Sequence, residues 1–300
     1  MDSKISLSLI AHRNVLKAGA SVVHVLCKIQ SHSTEIEGRR PVNRIVVLDR
    51  SDSMSGGKLQ AAVLTLQALV KELGPQDRLG LVSFESEVKV EFDPIAMTAA
   101  NQQQACSVLA SIQSGGSTCM STALSLAFGL TKNHDPNADW HVILLSDGRP
   151  NGGAEATLGQ FAAEMGKYPK ATMSCFGYGE DVDPKLLGGL ADTARGDYHF
   201  VRGNEPPVEA FASVLGRLRS VVGLEPRLIL RPTSGVCVAG IPSFARSSRD
   251  LNGDLMIDLP ALTAGDTRSV VIDLSLESSV LVEGQTSCLL HGQLRYRSAE

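Results

Sequence analysis

Five oxygen-bearing side chains in three short segments have the types and spacing of a metal or phosphate site. The first segment, Asp49-Arg50-Ser51-Asp52-Ser53, alternates a carboxylate with two hydroxyls. Thr118 follows the pair Gly115-Gly116, and Asp147 precedes Gly148. Two carboxylates and three hydroxyls, without sulfur or imidazole, suit hard cations such as Mg²⁺, Ca²⁺ or Mn²⁺. The predicted site consists of Asp49, Ser51, Ser53, Thr118 and Asp147.

Apolar runs precede both carboxylates of this set. Ile45–Leu48 leads into Asp49, and His141–Leu145 leads towards Asp147. Runs of this kind are typical of central parallel strands. Ligands of open parallel sheets bind beyond the carboxyl ends of strands where the strand order reverses. We therefore expect these two strands to be neighbours, so that the five side chains meet at one point.

Strands and helices alternate between residues 42 and 222, which predicts an α/β fold with a doubly wound, mostly parallel, Rossmann-like sheet covered on both faces. We predict strands at Ile45–Asp49, Arg78–Phe84, Val88–Phe92, His141–Leu145, Ala171–Phe176 and Tyr198–Val201. We predict helices at Lys58–Leu73, from Thr98 to Ile112, from the loop after Gly116 to Leu130, and at Ala154–Gly166, Pro184–Ala194 and Pro207–Val222. The strand at Val88 is expected to be an antiparallel edge strand.

Residues 1–40 and 225–300 have β patterns on either side of the α/β segment. Ile5–Leu9 alternates apolar and polar residues, and Asn252-Gly253 is a strong hairpin signal. We predict three segments: residues 1–40 and 225–300, which pair into one β-sandwich, and the α/β domain at 42–222. The strand-like run at the end of the chain suggests that the C-terminal part is truncated.

The composition is that of an ordinary globular protein. The 300 residues are 43% hydrophobic and 20% charged, with a net charge of −4. Without a dense Lys/Arg run, we expect no nucleic-acid partner. The sequence shows neither a signal peptide nor a membrane-spanning run, and its six cysteines lack Cys-x-x-Cys spacing. We expect a cytoplasmic chain with reduced, mostly buried thiols and no membrane insertion; the oligomeric state stays open.

The three segments together resemble a known site. The Asp49-x-Ser51-x-Ser53 motif, Thr118 in its glycine-rich loop and Asp147 before Gly148 resemble the metal-ion-dependent adhesion site of the von Willebrand factor A-domain family. The similarity covers roughly residues 42–222. The flanking β segments resemble bacterial members of the family in which a β-sandwich accompanies the A domain.

The resemblance implies a role for each residue. Ser51, Ser53 and Thr118 would contact the metal through their hydroxyls, and Asp49 and Asp147 would act directly or through water. One coordination position would stay open for an Asp or Glu of a partner protein. The implied protein is a non-enzymatic, metal-dependent interaction module, and Mg²⁺ is expected in preference to Ca²⁺ or Mn²⁺.

The loop departs from the family pattern at Asp52, where the family often has glycine. A third carboxylate would either tighten metal binding or repel an acidic partner, and Arg50 beside it would neutralise it or steer a ligand. Two alternatives concern the ligands themselves. In the first alternative, the three segments are helix caps and not metal ligands, because Ser, Thr and Asp favour helix starts. In the second alternative, Ser117 replaces Thr118 as the metal ligand.

An enzymatic alternative is a metal-dependent phosphohydrolase in which Asp49 is the nucleophile. Ser51 then stands where such enzymes carry a second aspartate as general acid, which disfavours this function. The segment Gly56-Gly57-Lys58 is similar to a phosphate loop but has Leu59 where Ser or Thr is required. We interpret Lys58 as a solvated lysine at a helix start.

Overall fold

A computed structural model describes residues 5–12, 22–32, 41–135, 138–150, 153–201, 221–241, 247–277, 279–280 and 285–298. These residues belong to two compact units, one drawn from Met1–Glu37 with Ser220–Glu300 and one from Gly38–Arg219. Most of the predicted helix at Pro207–Val222 lies outside the described residues. Its last two residues, Val221 and Val222, belong instead to a strand.

The elements follow the chain in three groups. The first strands are β1 (Ile5–Ala11) and β2 (Val22–Ser31). The α/β unit contains β3 (Asn43–Asp49), α1 (Gly57–Glu72), β4 (Arg78–Phe84), β5 (Val88–Ala96), α2 (Ala99–Ser111), α3 (Met120–His134), β6 (Trp140–Ser146), α4 (Ala154–Met165), β7 (Ala171–Tyr178), α5 (Pro184–Thr193) and β8 (Tyr198–Val201). The later strands are β9 (Val221–Pro232), β10 (Val236–Gly240), β11 (Ser247–Arg249), β12 (Leu255–Asp258), β13 (Leu262–Thr263), β14 (Thr267–Leu276) and β15 (Leu290–Ser298).

The sheet of the α/β unit has the strand order β5-β4-β3-β6-β7-β8. All neighbours are parallel except β5, which is antiparallel to β4 at the edge. The expected neighbours are confirmed, since β3 pairs with β6 in the register Ile45 to Val142. The order reverses at β3, because β4 lies on one side of it and β6 on the other. This is where the carboxyl ends of a doubly wound sheet form a ligand crevice.

Both faces of this sheet are buried, which explains why β3 is apolar at successive positions. Ile45 and Val47 pack in a core with residues of α3, α4 and α5. Val46 and Leu48 point to the opposite face and pack in a second core with residues of α1 and α2. Side chains of a strand alternate between faces, so a sheet covered twice needs apolar residues throughout.

Helix boundaries agree with local capping chemistry. Thr98 caps α2 by accepting a hydrogen bond from the Asn101 backbone N–H at 3.3 Å. Asp183 caps α5, where Pro184 occupies the first turn. None of the helices in the described parts of the chain is both long enough and apolar enough to cross a membrane.

The other unit consists of two antiparallel sheets. One has the order β1-β2-β14-β10, and the other has β11-β12-β9-β13 with β15 also paired to β9. Apolar residues of both sheets share one core, including Val25 from β2 and Leu228 from β9. The predicted sandwich of N- and C-terminal strands is thus present. Asn252-Gly253 lies in the connection between β11 and β12, as its hairpin signal indicates.

The six cysteines are free thiols. Cys27 and Cys175 are buried, and burial raises the pKa of Cys27 to about 12. Cys237 and Cys288 are exposed, so the expectation of mostly buried thiols is wrong for these two.

Candidate metal centre

The ends of β3 and β6 lie side by side. Leu48 pairs with Leu145, so the next residues, Asp49 and Ser146, stand at the same level of the sheet. The Ser146 hydroxyl donates a hydrogen bond of 2.5 Å to Asp49 Oδ2. Asp147 follows directly and is close enough for its charge to act on Asp49. The sheet therefore brings the two predicted carboxylates to the same crevice.

Asp49 is fully buried and held by two hydrogen bonds. Its Oδ1 accepts from the Ser51 backbone N–H at 2.9 Å, and its Oδ2 accepts from Ser146. Burial raises the pKa of Asp49 above its ordinary value; the hydrogen bonds from Ser146 and Ser51 oppose this, and the charge of Asp147 adds to it. A buried carboxylate with a raised pKa is one that a cation would stabilise.

The two serines of the first segment face each other. Ser51 Oγ and Ser53 Oγ are 3.2 Å apart, and Ser51 is buried. A single 3-10 turn at Asp52–Met54 creates this arrangement, and the buried Met54 anchors the turn in the core of α1 and α2. Among the described residues, the Ser51 side chain makes no capping bond to this turn. Helix capping does not account for Ser51.

The loop that carries Thr118 is fixed to the loop that follows Asp49. The Gly115 N–H donates to the Arg50 carbonyl at 2.9 Å, and the Asp52 N–H donates to the Gly116 carbonyl at 3.1 Å. Gly116 has a φ of 72°, and a side chain there would overlap the carboxylate of Glu85. The positive φ, which residues with side chains rarely adopt, is the main reason for glycine at this position.

Thr118 is buried, whereas Ser117 is exposed and its hydroxyl bonds to Ser86 Oγ at 3.2 Å. This geometry favours Thr118 over Ser117 as the ligand. The N-cap residue of α3 is Cys119, without a side-chain capping bond, so capping does not explain Thr118 either.

Asp147 is fully buried, and its two oxygens differ. Oδ2 accepts a hydrogen bond from Lys58 Nζ at 3.1 Å. Oδ1 is buried and has no hydrogen-bond partner within the described parts of the chain. An unpaired buried oxygen costs free energy, so it marks a place where a ligand would complete the structure.

Lys58 corrects the sequence interpretation. It is only 22% exposed and bridges Asp147 and Asp181, with 2.7 Å to Asp181 Oδ1. Burial alone would lower its pKa, but the hydrogen bonds to Asp181 and Asp147 raise it overall. The expected position of Lys58 at a helix start is confirmed, because α1 begins at Gly57, but the expectation that its side chain is solvated was wrong.

Arg50 was expected either to neutralise Asp52 or to steer a ligand, and its observed ion pair is with a different carboxylate. Arg50 pairs with Glu85 at 3.2 Å, while Asp52 is exposed. The guanidinium is thus engaged on the neighbouring loop.

The donor set fits a hard divalent cation. It combines the unpaired Asp147 Oδ1 with the Ser51–Ser53 hydroxyl pair and the buried carboxylate of Asp49. The described residues contain no group of three or more His, Cys, Asp or Glu side chains able to hold a metal. Such a group is not required here, because the predicted site has two carboxylates and takes its other ligands from hydroxyls.

Two residues of this centre, Ser146 and Lys58, were missed as site residues. Strand register could have found Ser146, since two neighbouring parallel strands that end together place it opposite Asp49. No local signal identifies Lys58, because its partners Asp147 and Asp181 lie far away in the sequence.

Ser146→Ala is expected to weaken both folding and metal binding. The Ser146 hydroxyl also accepts from the Gly148 N–H at 2.9 Å, so its removal leaves two buried groups unpaired. We expect the free energy of unfolding to fall by about 1–3 kcal/mol and the Mg²⁺ dissociation constant to rise about tenfold. Urea unfolding and calorimetry measure the two effects. Ser125→Ala, which removes an exposed hydroxyl bonded to Glu164, is the control; equal effects in both variants would contradict the assignment.

Asp49→Asn is expected to stabilise the metal-free protein at neutral pH. Because the folded pKa of Asp49 is raised, its contribution to stability is present below its unfolded pKa and is lost as the pH rises through the folded pKa. The asparagine does not titrate. Melting temperatures in EDTA should therefore be similar at acid pH and diverge in favour of Asp49→Asn as the pH rises. A constant difference across the pH range would refute this.

Comparison with known proteins shows that the segment carrying the candidate site is similar to a known domain family. Residues 45–149, which include all five predicted ligands, match the family model described as von Willebrand factor type A domain. The structure of a von Willebrand factor type A protein from Catenulispora acidiphila aligns with a TM-score of 0.77, covering 99% of this chain and 70% of that chain. At 19% sequence identity, this likeness shows the fold.

Two curated relatives are similar over most of the chain. An uncharacterized protein of Synechocystis sp. is 23% identical over 229 residues, which are 76% of this chain and 54% of that protein. The E3 ubiquitin-protein ligase WAV3 of Arabidopsis thaliana is 25% identical over 252 residues, or 80% of this chain and 32% of the ligase. The chain thus spans about half of the first relative and a third of the second.

Proposed function

We propose that the chain binds an acidic side chain of a partner protein through a divalent cation, because residues 45–149 match the model of the von Willebrand factor type A domain. Domains of this family commonly mediate protein–protein interactions. The cation would be held by Asp49, Ser51, Ser53, Thr118 and Asp147. The protein would act as a binding module and not as an enzyme.

The observation that carries this proposal is the unpaired oxygen of Asp147. A fully buried carboxylate oxygen without a hydrogen-bond partner among the described residues is costly unless a ligand reaches it. It lies at the switch point of the sheet, where ligands of such folds bind. Water would satisfy one oxygen, but two carboxylates with clustered hydroxyls favour a cation.

We propose Mg²⁺ as the preferred ion. Mg²⁺ in proteins usually keeps several waters and takes one or two carboxylates, which matches a set with two carboxylates and three hydroxyls. When bound, the cation supplies a Lewis-acidic position that exchanges water for a carboxylate of the partner. The exposed Asp52 would face this partner and oppose an acidic residue placed on its side of the loop.

The phosphohydrolase alternative receives little support from the geometry. A nucleophilic Asp49 would need a free oxygen in line with the phosphorus atom. Both of its oxygens accept hydrogen bonds, from Ser51 and Ser146, and the side chain is fully buried. Ser51 also cannot act as the carboxylic acid that this reaction requires.

Calorimetric titration of Mg²⁺ and Ca²⁺ into EDTA-stripped protein tests the proposal. One saturable site is expected, with tighter binding of Mg²⁺. Addition of acetate, the simplest carboxylate, to the loaded protein is expected to give binding that EDTA abolishes. Protein that takes up neither ion would refute the metal-dependent function.

A further inference from the structure

The ammonium group of Lys58 lies in this centre but does not belong to the five predicted ligands. It lies at the start of α1 and reaches across the crevice to the end of β6. Its Nζ is 3.1 Å from Asp147 Oδ2 and 2.7 Å from Asp181 Oδ1. Asp147 is fully buried, so this is an ion pair in which one partner has lost its water.

Surrounding residues hold Lys58 in this position. Gly179, the first residue after β7, has a φ of 91°, and a Cβ there would overlap Lys58 Cε. Asp181 is itself held by Arg149, whose guanidinium lies 3.0 Å from Asp181 Oδ2. The position of the Lys58 side chain is therefore limited by Gly179 on one side and by the carboxylate of Asp181 on the other.

With Lys58 in this position, the two carboxylate oxygens of Asp147 have different surroundings. Lys58 takes Oδ2, and Oδ1 is the oxygen left without a partner in the described structure. A carboxylate held by an ammonium group at Oδ2 presents Oδ1 more readily to a cation, which favours monodentate binding. Asp147 without Lys58 could turn and offer both.

The positive charge of Lys58 also changes the net charge of the metal-bound site. The carboxylates of Asp49 and Asp147 balance the two positive charges of a divalent cation. Asp181 is shared between Lys58 and Arg149, so it offsets only one of these two positive charges and the filled site keeps an excess positive charge. Like charges in a partly buried site repel and opposite charges attract, so the same ammonium opposes the cation and favours an anionic partner.

We propose that Lys58 is a positioning residue that sets the specificity of this centre, weakening the hold on the cation and strengthening capture of a carboxylate. This inference rests on the proposed function and assigns it a residue outside the ligand set. It distinguishes Lys58 from a purely structural ion pair, whose loss would weaken both kinds of binding.

Lys58→Gln tests the inference, with Lys71→Gln as the matched control. Lys71 is an exposed lysine in the last turn of the same helix, about 20 Å away along its axis. Calorimetry measures Mg²⁺ binding to EDTA-stripped protein. Broadening of the acetate methyl proton signal by Mn²⁺-loaded protein measures carboxylate binding, since Mn²⁺ shares the preference for oxygen ligands.

We expect Lys58→Gln to bind Mg²⁺ about three- to tenfold tighter and acetate at least about threefold weaker than wild type. Lys58→Arg, which keeps the charge, and Lys71→Gln should stay within about twofold of wild type in both measurements. Lys58→Gln that binds Mg²⁺ no tighter, or acetate no weaker, overturns the inference while the proposed function stands. Wild-type protein that binds no divalent cation overturns both.

Discussion

Replacing Asp49 by alanine is expected to abolish Mg²⁺ binding. Asp49 is the buried carboxylate at the end of β3, and its two hydrogen bonds orient Ser51 and Ser146 around the crevice. Loss of a residue that hydrogen-bonds to a metal ligand already weakens metal sites about 10- to 100-fold, so loss of a predicted ligand should cost at least about 100-fold. Calorimetric titration of Mg²⁺ into EDTA-stripped wild type and Asp49→Ala measures this directly.

The matched control for this experiment is Asp52→Ala. It removes the same carboxylate from the same loop, but Asp52 is exposed. We expect its Mg²⁺ affinity to stay within about threefold of wild type, because exposed charges are screened by water and salt. Trp140 fluorescence shows whether each variant is folded. Asp49→Ala that is folded and retains wild-type affinity would exclude Asp49 as a ligand.

Much of the α/β unit can be predicted because its elements carry their signals locally. β4 and β8 have the predicted limits, and α1 is shifted by one residue at each end. A strand covered on both faces is continuously apolar, and a helix beside it ends where polar or glycine residues begin. The pairing of β3 with β6 follows from the switch-point rule for doubly wound sheets.

The sandwich is less predictable from sequence. β10, β11 and β13 were not predicted, and they contain between two and five residues each. Short strands lack the length over which alternation becomes visible. Their pairing also depends on partners distant in sequence, as for β10 with β14.

Some residues of the candidate site can also be predicted from the sequence, and others cannot. The predicted ligands follow from a motif and from strand ends, although their role in metal binding is still a prediction. The Lys58–Asp147 pair depends on how α1 leans over the end of β6, which no local pattern contains. The Arg50–Glu85 pair depends on the approach of two loops, made possible by Gly116. Local chemistry thus predicts the donors, and tertiary packing decides which charges surround them.

Replacing Phe128 by alanine is expected to produce the largest loss of stability and little loss of metal affinity. Phe128 lies on α3 and is buried against Phe161 and Tyr168, with ring centroids 5.4 and 5.5 Å away. Truncating a buried phenylalanine removes apolar burial and leaves a cavity, which costs about 3–5 kcal/mol. Trp140 is the single tryptophan and belongs to the same core, so its fluorescence follows unfolding in urea.

Phe200→Ala is the control, since it makes the same truncation on β8 at a side chain that is 39% exposed. We expect it to cost less than about 1 kcal/mol. Where Phe128→Ala is still folded, its Mg²⁺ affinity should stay within about threefold of wild type, because the Thr118 loop is fixed by bonds to Arg50 and Asp52 rather than by Phe128. This variant and Asp49→Ala should thus separate stability from binding. A large loss of Mg²⁺ affinity in folded Phe128→Ala would mean that the core under α3, and not the paired loops, positions the site.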